Sequence, residues 1–217
     1  MDTYLFDFDG TLVDSMPTFI SACFKLLDEN GITYSDDLIE IITPLGFKGV
    51  AEYCIKLGLD LPVEKIMELL IDYMHDDYFN NIPAKNNVIF TLNELKKRGA
   101  SLNVLTASPH ATLDACLKRI GIYDIFDNVW SCTDDFNMSK SDPEIYKKAA
   151  LRLNKPINEI LFLDDNTGAC SAAKRSGILV CGVYDDSGKD FKDELKEIAD
   201  YYIDDFIELL DIFSVCN

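Results

Sequence analysis

The sequence has few of the residues that hold transition metals or form disulfides in recognisable patterns. It contains two histidines, His75 and His110, and seven cysteines with no Cys-x-x-Cys pair. The cysteines are Cys23, Cys54, Cys116, Cys132, Cys170, Cys181 and Cys216. An odd number of scattered thiols argues against a zinc site and against a disulfide framework. We therefore expect reduced cysteines that pack as small apolar side chains, and a reactive cysteine has no sequence support.

Positive charge is scarce. The sequence has 20 Lys and Arg residues but 38 Asp and Glu residues, which gives a formal net charge of −18. Such a surface repels nucleic acid and anionic membranes, so we expect neither as a partner. Phosphorylated small molecules are not excluded. A bound cation and a few lysines can reverse the potential inside a cleft.

Long apolar runs are absent, and none reaches the length of a transmembrane helix. The chain starts almost directly in a strand pattern, without a basic or signal-like segment, so we expect a cytoplasmic protein. A hydrophobic content of 48% is typical of a globular protein. At 217 residues the chain can bury one core and a small accessory domain, and we expect a monomer.

The stretch around which the chain is organised begins with a short apolar run that is typical of a buried strand. Asp7 and Asp9 follow this run, and Gly10 comes directly after them. Carboxylates at a strand end lie at the edge of the core, and a glycine turn lets the backbone approach a ligand. An aspartate in this position can bind a hard cation, attack an electrophile or move a proton.

Strand patterns are absent between residues 16 and 80, where the apolar spacing predicts helices only. From Val88 onward, helix and strand patterns alternate, which predicts a parallel sheet with helices on both faces. The strands are predicted at residues 102–106, 128–132, 160–163, 178–183 and 201–203, after the first strand. The last helix is predicted at 206–213, and another runs from 109 to 120 with Ser108 as its N-cap.

The helical block interrupts the chain between the first strand and its partners, which predicts an insertion. We expect an α/β core domain of residues 1–14 and 84–217, and a helical domain of residues 15–83. The two crossings between them are expected near residues 13–17 and 80–87.

The string from Asp7 to Ser15, Asp-Phe-Asp-Gly-Thr-Leu-Val-Asp-Ser, resembles the first motif of the haloacid dehalogenase-like superfamily. This resemblance implies a Rossmann-like core with an inserted helical cap, and Mg²⁺ as cofactor. It implies that Asp7 binds the metal and attacks phosphorus to form an aspartyl-phosphate. Asp9 would bind the metal through its backbone carbonyl and act as the general acid and base. Gly10 and Thr11 would contact the phosphoryl group.

Three later stretches resemble the other motifs of this superfamily. Thr106 stands where the second motif has its hydroxyl residue, and Ala107 and Ser108 follow it as expected phosphate contacts. Lys140 matches the lysine of the third motif, although Ser141 replaces the usual proline.

The fourth motif is matched by Asp164 and Asp165, in a form with two adjacent acids. Ala169 stands where a commoner form has a further acid. The resemblance implies that Asp165 is the better-placed metal ligand and Asp164 the second. The remaining acidic pairs are interpreted as solvated caps and loops. These pairs are Asp76-Asp77, Asp134-Asp135, Asp185-Asp186 and Asp204-Asp205.

The stretch Leu45-Gly46-Phe47-Lys48-Gly49 is predicted to be a loop between the second and third helices. In similar proteins this loop faces the active site and selects the substrate. Lys48 would then meet a second anionic group of a substrate. The alternative is an ordinary surface lysine at the start of a helix.

The resemblance favours a Mg²⁺-dependent phosphatase that hydrolyses small phosphorylated metabolites, such as phosphoglycolate or sugar phosphates. Asp9 supports a phosphatase or phosphomutase over a dehalogenase, because the first two reactions need a general acid and base at this position. Two other hypotheses stay open. One is a sugar phosphomutase similar to β-phosphoglucomutase, although the first cap helix has no histidine. The other is a non-catalytic binding protein on the same fold. Pyrophosphate hydrolysis is not separable from monoester hydrolysis by sequence.

Overall fold

The computed structural model describes residues 1–212, and within them six strands form one sheet. The strands are β1 (Thr3–Phe6), β2 (Ser101–Thr106), β3 (Asn128–Ser131), β4 (Ile160–Asp164), β5 (Leu179–Val183) and β6 (Tyr201–Ile203). Their order is β3-β2-β1-β4-β5-β6, and every neighbouring pair is parallel. The central strands β1 and β4 are buried along their whole length, as expected when helices cover both faces. The predicted α/β architecture is therefore confirmed.

Helices fill the insertion after β1 and alternate with the strands from residue 88 onward. The helices of the insertion are α1 (Met16–Glu29), α2 (Leu38–Ile42), α3 (Gly46–Lys56) and α4 (Val63–Asn80). Those that follow are α5 (Val88–Lys97), α6 (His110–Arg119), α7 (Cys132–Phe136), α8 (Glu144–Leu153), α9 (Thr167–Ser176), α10 (Lys192–Ile198) and α11 (Leu209–Ile212). Among residues 1–212, no helix combines the length and the apolar character needed to cross a membrane.

Three helix predictions need correction. The short helix α7 was not predicted. Helix α3 starts at Gly46, so the stretch predicted as a loop supplies its first turn. The predicted helix 206–213 is a 3₁₀ turn at Phe206–Glu208 followed by α11, while Phe213 and Cys216 lie outside the described residues.

Two clusters of buried apolar residues form the core, one on each face of the sheet. The first joins sheet residues such as Phe6 and Val104 to insertion residues such as Leu26 and Leu70. The second lies under α8 and α9, around Leu5 and Phe162. The apolar interior of the insertion is thus continuous with one face of the sheet, which stabilises the insertion through the same burial of apolar area.

The chain enters and leaves the insertion along two adjacent segments. The backbone N–H of Asp14 donates to the carbonyl of Pro83 at 3.0 Å, and that of Lys85 donates to Leu12 at 3.0 Å. Val13 and Ala84 form an antiparallel bridge between these contacts. The two crossings are therefore held side by side at the end of β1.

Candidate active site

The predicted acidic residues Asp7, Asp164 and Asp165 meet at the carboxyl edge of the central strands, together with Thr106 and Lys140. Asp7 follows β1, Thr106 ends β2 and Asp164 ends β4. Because β2 and β4 flank β1 in a parallel sheet, their carboxyl ends reach the same edge. The chain order changes direction at β1, and open α/β sheets bind ligands at such a switch point.

Three carboxylates form an acidic cluster at this edge. Asp7, Asp164 and Asp165 each offer one oxygen, and these oxygens lie within 4.8 Å of one another. Burial and the neighbouring Asp7 raise the pKa of Asp164 to about 7, although Lys140 opposes this rise. Burial, followed by repulsion from Asp164, raises the pKa of Asp165 well above its usual range. A positive charge would relieve the repulsion between these carboxylates, and their oxygens are of the type that binds a hard cation such as Mg²⁺.

Lys140 supplies a positive charge to this cluster. Its Nζ lies 2.7 Å from Asp7 Oδ1 and 2.7 Å from Asp164 Oδ2. Burial alone would lower the pKa of Lys140, but Asp164 and Asp7 outweigh it, and the pKa is raised well above its usual value. The Tyr146 hydroxyl, on α8, contacts the carbonyl oxygens of Lys140 at 2.9 Å and Ala169 at 3.1 Å. A protonated ammonium is thus held between the first and fourth motifs.

The two acids of the fourth motif have different surroundings. Both oxygens of Asp164 are engaged, because Oδ2 accepts from Lys140 and Oδ1 accepts from the backbone N–H of Asn166 at 2.8 Å. Asp165 accepts a hydrogen bond of 2.8 Å from the Thr11 hydroxyl on Oδ1. Asp7 Oδ1 is buried and accepts no well-aligned hydrogen bond from residues 1–212. Asp7 and Asp165 therefore each have a carboxylate oxygen that can coordinate a metal ion.

Gly10 makes the close approach of the first turn to Asp165 possible. Its φ is +72°, a conformation that L side chains rarely adopt. A Cβ atom at this position would lie 2.4 Å from Asp165 Oδ2. The turn closes with a hydrogen bond of 3.0 Å from the Gly10 N–H to the Val13 carbonyl.

Asp9 is held by three hydroxyl groups that come from different parts of the chain. Tyr78 donates to its Oδ1 at 2.5 Å and Ser15 donates to the same oxygen at 2.7 Å. Ser108 donates to Oδ2. Burial raises the pKa of Asp9, while the hydrogen bonds from Ser108 and Tyr78 oppose the rise. The Tyr78 ring also stacks on Phe8, with ring centroids 6.0 Å apart.

Sequence reasoning missed the contribution of Tyr78. It follows Met74 by one turn in the apolar stripe of α4, and both side chains are buried. Nothing in its local sequence separates it from an ordinary core tyrosine. Arg119 of α6 supports the same end of α4, because its Nε donates to the Tyr78 carbonyl at 3.2 Å and its Nη2 donates to Ile82.

The prediction that Ser108 caps α6 is wrong. The N-cap residue is Pro109, which makes no capping hydrogen bond with its side chain, and the Ser108 hydroxyl donates to Asp9 instead. Thr106 is buried, and its Oγ1 accepts from the Ser108 N–H at 3.2 Å. Ala107, between them, is exposed.

Within the described part of the chain, no ion pair joins Lys48 to these residues. It occupies the first turn of α3, its side chain is 74% exposed, and its Nζ lies 3.9 Å from Glu52 on the same helix. This placement favours the alternative interpretation of a surface lysine at a helix start.

The interpretation of Asp185 as a solvated acid is also wrong. Its side chain is 6% exposed and forms an ion pair of 2.9 Å with Lys85. The cause is tertiary, because Lys85 comes from the second crossing and lies 100 residues away in sequence.

Comparisons with known proteins identify the family of this chain. The sequence profile of the haloacid dehalogenase-like hydrolases matches residues 4–183. A pyrophosphatase, PpaX of Bacillus velezensis, is 30% identical over 185 residues, covering 82% of this chain and 81% of that protein. The validoxylamine A 7'-phosphate phosphatase of Streptomyces hygroscopicus subsp. limoneus is 27% identical over 183 residues, covering 82% and 84%.

Solved structures show the same fold. A crystal structure of CbbY from Rhodobacter sphaeroides, in complex with xylulose-1,5-bisphosphate, superposes with a TM-score of 0.80 at 21% identity. The match covers 96% of each chain. With the profile match over most of the sequence, these findings show that the chain belongs to the haloacid dehalogenase-like hydrolase family.

Proposed function

We propose that this protein is a Mg²⁺-dependent phosphatase that hydrolyses small phosphorylated metabolites through an aspartyl-phosphate on Asp7. The observation that carries the proposal is the contact of Lys140 with both Asp7 and Asp164, beside Asp165. This arrangement supports the proposed roles of Asp7 as nucleophile, Lys140 as fixed cation and Asp165 as metal ligand, because the three side chains meet at one sheet edge. The phosphatase named among the relatives supports the same reaction class.

The residues present fit a magnesium ion. The Oδ1 of Asp7, which has the Lys140 ion pair but no well-aligned hydrogen bond, and the close oxygens of Asp164 and Asp165 form a hard, all-oxygen donor set. Asp7, Asp165 and the backbone carbonyl of Asp9 would hold the ion, with Asp164 beside it. When bound, Mg²⁺ supplies positive charge that offsets the charge of the phosphoryl oxygens.

Asp7 acts as the nucleophile in this proposal. One of its oxygens attacks phosphorus, the bond to the leaving oxygen breaks, and a covalent aspartyl-phosphate results. Lys140 lowers the repulsion between the carboxylate and the incoming phosphoryl group. Because the ammonium is already fixed between two carboxylates, little reorganisation is needed when the substrate binds.

Asp9 acts as the general acid and then as the general base. Its raised pKa favours the protonated carboxyl, which can donate a proton to the leaving oxygen. After the leaving group departs, the ionised carboxylate takes a proton from the water that hydrolyses the intermediate. Thr106 and the backbone N–H groups near Gly10 and Ala107 orient the transferring group.

We also propose that residues 15–83 act as a cap over this edge, with residues 1–14 and 84–217 as the core. The paired crossings at Asp14–Pro83 and Leu12–Lys85 support a hinge at these positions. Closure of the cap would exclude water until the leaving group departs. The expectation of a monomeric, cytoplasmic protein stays a prediction.

The test is phosphate release from a panel of phosphorylated metabolites, with Mg²⁺ and with EDTA. We expect Mg²⁺-dependent release concentrated on one or a few esters. Asp7→Asn should reduce turnover to background without loss of the fold, because the nucleophile is removed. Asp76→Asn is the matched control, since that side chain is 96% exposed. Full activity of the Asp7→Asn variant would refute the mechanism.

Pyrophosphate is the second candidate substrate, because the relative at 30% identity is named a pyrophosphatase. The panel therefore includes pyrophosphate, and also β-glucose 1-phosphate with analysis of the sugar products. Preferential hydrolysis of pyrophosphate would establish the second candidate. Isomerised sugar phosphate without phosphate release would establish a phosphomutase, and no turnover by folded protein would favour a binding role.

A further inference from the structure

We propose that Lys85 is a positioning residue that holds the turn after β1 in its active conformation, an inference that rests on the proposed function. The Lys85 Nζ donates to the Gly10 carbonyl at 2.6 Å and to the Tyr184 carbonyl at 2.6 Å. It also donates to Asp185 Oδ2 at 2.9 Å. None of the four motif stretches includes Lys85 or Asp185.

These contacts differ from those of an ordinary surface ion pair. The side chain of Lys85 is 18% exposed and that of Asp185 is 6% exposed. An ammonium has three donors, and three acceptors surround this one. Removal of a charge from water is costly unless its hydrogen bonds are replaced. Because all three donors of the Lys85 ammonium have an acceptor, we infer that the side chain fixes the positions of the two carbonyls and of the Asp185 carboxylate.

Lys85 reaches the same turn through its backbone. Its N–H donates to Leu12 at 3.0 Å, and the adjacent Ala84 bridges to Val13. The residue thus attaches the second crossing to both ends of the turn, by its main chain at residues 12–13 and by its side chain at Gly10. The Tyr184 and Asp185 contacts add the segment that follows β5.

The turn that Lys85 holds carries groups that the mechanism needs. Gly10 lies between Asp9 and Thr11, and Thr11 donates to Asp165. There is no room for the turn to move toward Asp165, because even a Cβ on Gly10 would lie 2.4 Å from its carboxylate. Loss of the Lys85 contacts would release the Gly10 carbonyl. We therefore expect Asp9 and Thr11 to lose their fixed positions.

A second possibility is that Lys85 acts only through its charge. The pKa of Asp165 is raised by burial and by Asp164 and Asp185, and Lys85 opposes this, so its charge reaches the acidic cluster. The two roles predict opposite effects on Mg²⁺ binding. Removal of a nearby positive charge by itself would strengthen the binding of a cation. Loss of the fixed turn would weaken that binding.

The test compares Lys85→Met with wild-type protein by Mg²⁺ titration calorimetry and by steady-state kinetics. We expect Mg²⁺ affinity to fall by about tenfold and kcat to fall by about 10- to 100-fold, with a smaller change in KM, as for small misplacement of reacting groups. Lys155→Met is the matched control, since Lys155 forms an exposed pair with Asp2 and should leave both values unchanged. Unchanged or tighter Mg²⁺ binding with normal kcat would overturn the proposal.

Lys85→Arg covers the case in which Lys85→Met does not fold. It keeps the positive charge but cannot reproduce the three contacts of a compact ammonium. If Lys85 is a positioning residue, kcat of Lys85→Arg should be reduced. Full activity of this variant would overturn the proposal. Asp185→Asn keeps an acceptor oxygen and should retain more activity than Lys85→Met. The calorimetric comparison needs no substrate, so it tests Lys85 even if wild-type protein hydrolyses no ester and the proposed function fails.

Discussion

At the scale of single residues, Gly10 is the position where backbone conformation and site geometry are most tightly linked. Gly10→Ala would place a Cβ 2.4 Å from Asp165 Oδ2, at a φ of +72°. We expect the free energy of unfolding to fall by about 1–2 kcal/mol and Mg²⁺-dependent activity to fall sharply, because Asp165 must move. Urea unfolding and kcat measure the two effects.

Gly99→Ala is the matched control for this prediction. Gly99 has a φ of +85°, and nothing lies within 4 Å of a Cβ built there. It should therefore show the backbone cost without the clash, and activity should stay normal. Equal loss of stability in both variants, together with a fully active Gly10→Ala protein, would contradict the prediction.

Tyr78 is predicted to hold Asp9 for proton transfer. Tyr78→Phe removes the donor but keeps the ring that stacks on Phe8. We expect kcat to fall about tenfold with little change in KM, which corresponds to the loss of one hydrogen bond to a charged group. Tyr34→Phe is the control, because its hydroxyl bonds to Asp28 at an exposed position.

A double-mutant cycle with Asp9→Asn separates this role from a structural one. If Tyr78 acts through Asp9, Tyr78→Phe should have no further effect on the residual activity of Asp9→Asn. Additive effects on kcat would show that Tyr78 acts elsewhere.

At the scale of secondary structure elements, His110 joins the start of α6 to α7. Its Nδ1 lies 2.9 Å from Asp114 Oδ1, its Nε2 lies 2.9 Å from Asp135 Oδ2, and its backbone N–H donates to Asp134. Both ring nitrogens face carboxylates, and the protonated ring can donate to both of them. Burial lowers the pKa of His110, but Asp114 and Asp135 outweigh it and the pKa is raised.

His110→Gln should therefore destabilise the protein more at pH 5.5 than at pH 9. A raised pKa in the folded state gives stability that is fully present below the unfolded value of about 6.5. This stability is lost as pH rises through the folded value. Urea unfolding at both pH values measures the difference, and His75→Gln is the control because its side chain is 51% exposed. Equal destabilisation at both pH values would show that protonated His110 does not stabilise the protein through Asp114 and Asp135.

The elements differ in how well local sequence predicted them. Apolar spacing correctly predicted long helices such as α1 and α4, because a stripe of many residues must be buried. The start of α3 was predicted as a loop from Gly46 and Gly49. Tertiary packing overrides that low propensity, since Phe47 contacts Phe19 with ring centroids 4.9 Å apart.

At the scale of the whole molecule, Mg²⁺ should stabilise the protein more at pH 8 than at pH 5. The folded pKa of Asp164 is raised to about 7, and burial and the neighbouring Asp164 raise the pKa of Asp165 well above its usual range. Between about pH 4 and 7 the folded metal-free protein therefore holds protons that the unfolded chain releases, so its stability falls as pH rises. Protons compete with the metal at pH 5, and Mg²⁺ relieves the repulsion at pH 8.

Thermal unfolding with EDTA and with saturating Mg²⁺ measures this effect as the gain in Tm at each pH. Asp165→Asn should remove most of the gain at pH 8, because it removes a ligand and one repelling charge. The Asp76→Asn variant should keep the wild-type gain. An equal gain at pH 5 and pH 8 in the wild-type protein would contradict the prediction.

The sequence by itself determined the fold class and the residues that meet at the sheet edge. The apolar strand before Asp7 and the strand before Asp164 place both acids at carboxyl ends, and parallel strands align those ends. Only the tertiary structure decided which side chains support these residues. Tyr78 reaches Asp9 across 69 residues and Lys85 reaches Asp185 across 100. Contacts of this kind depend on the packing of separate elements, which no local pattern of residues encodes.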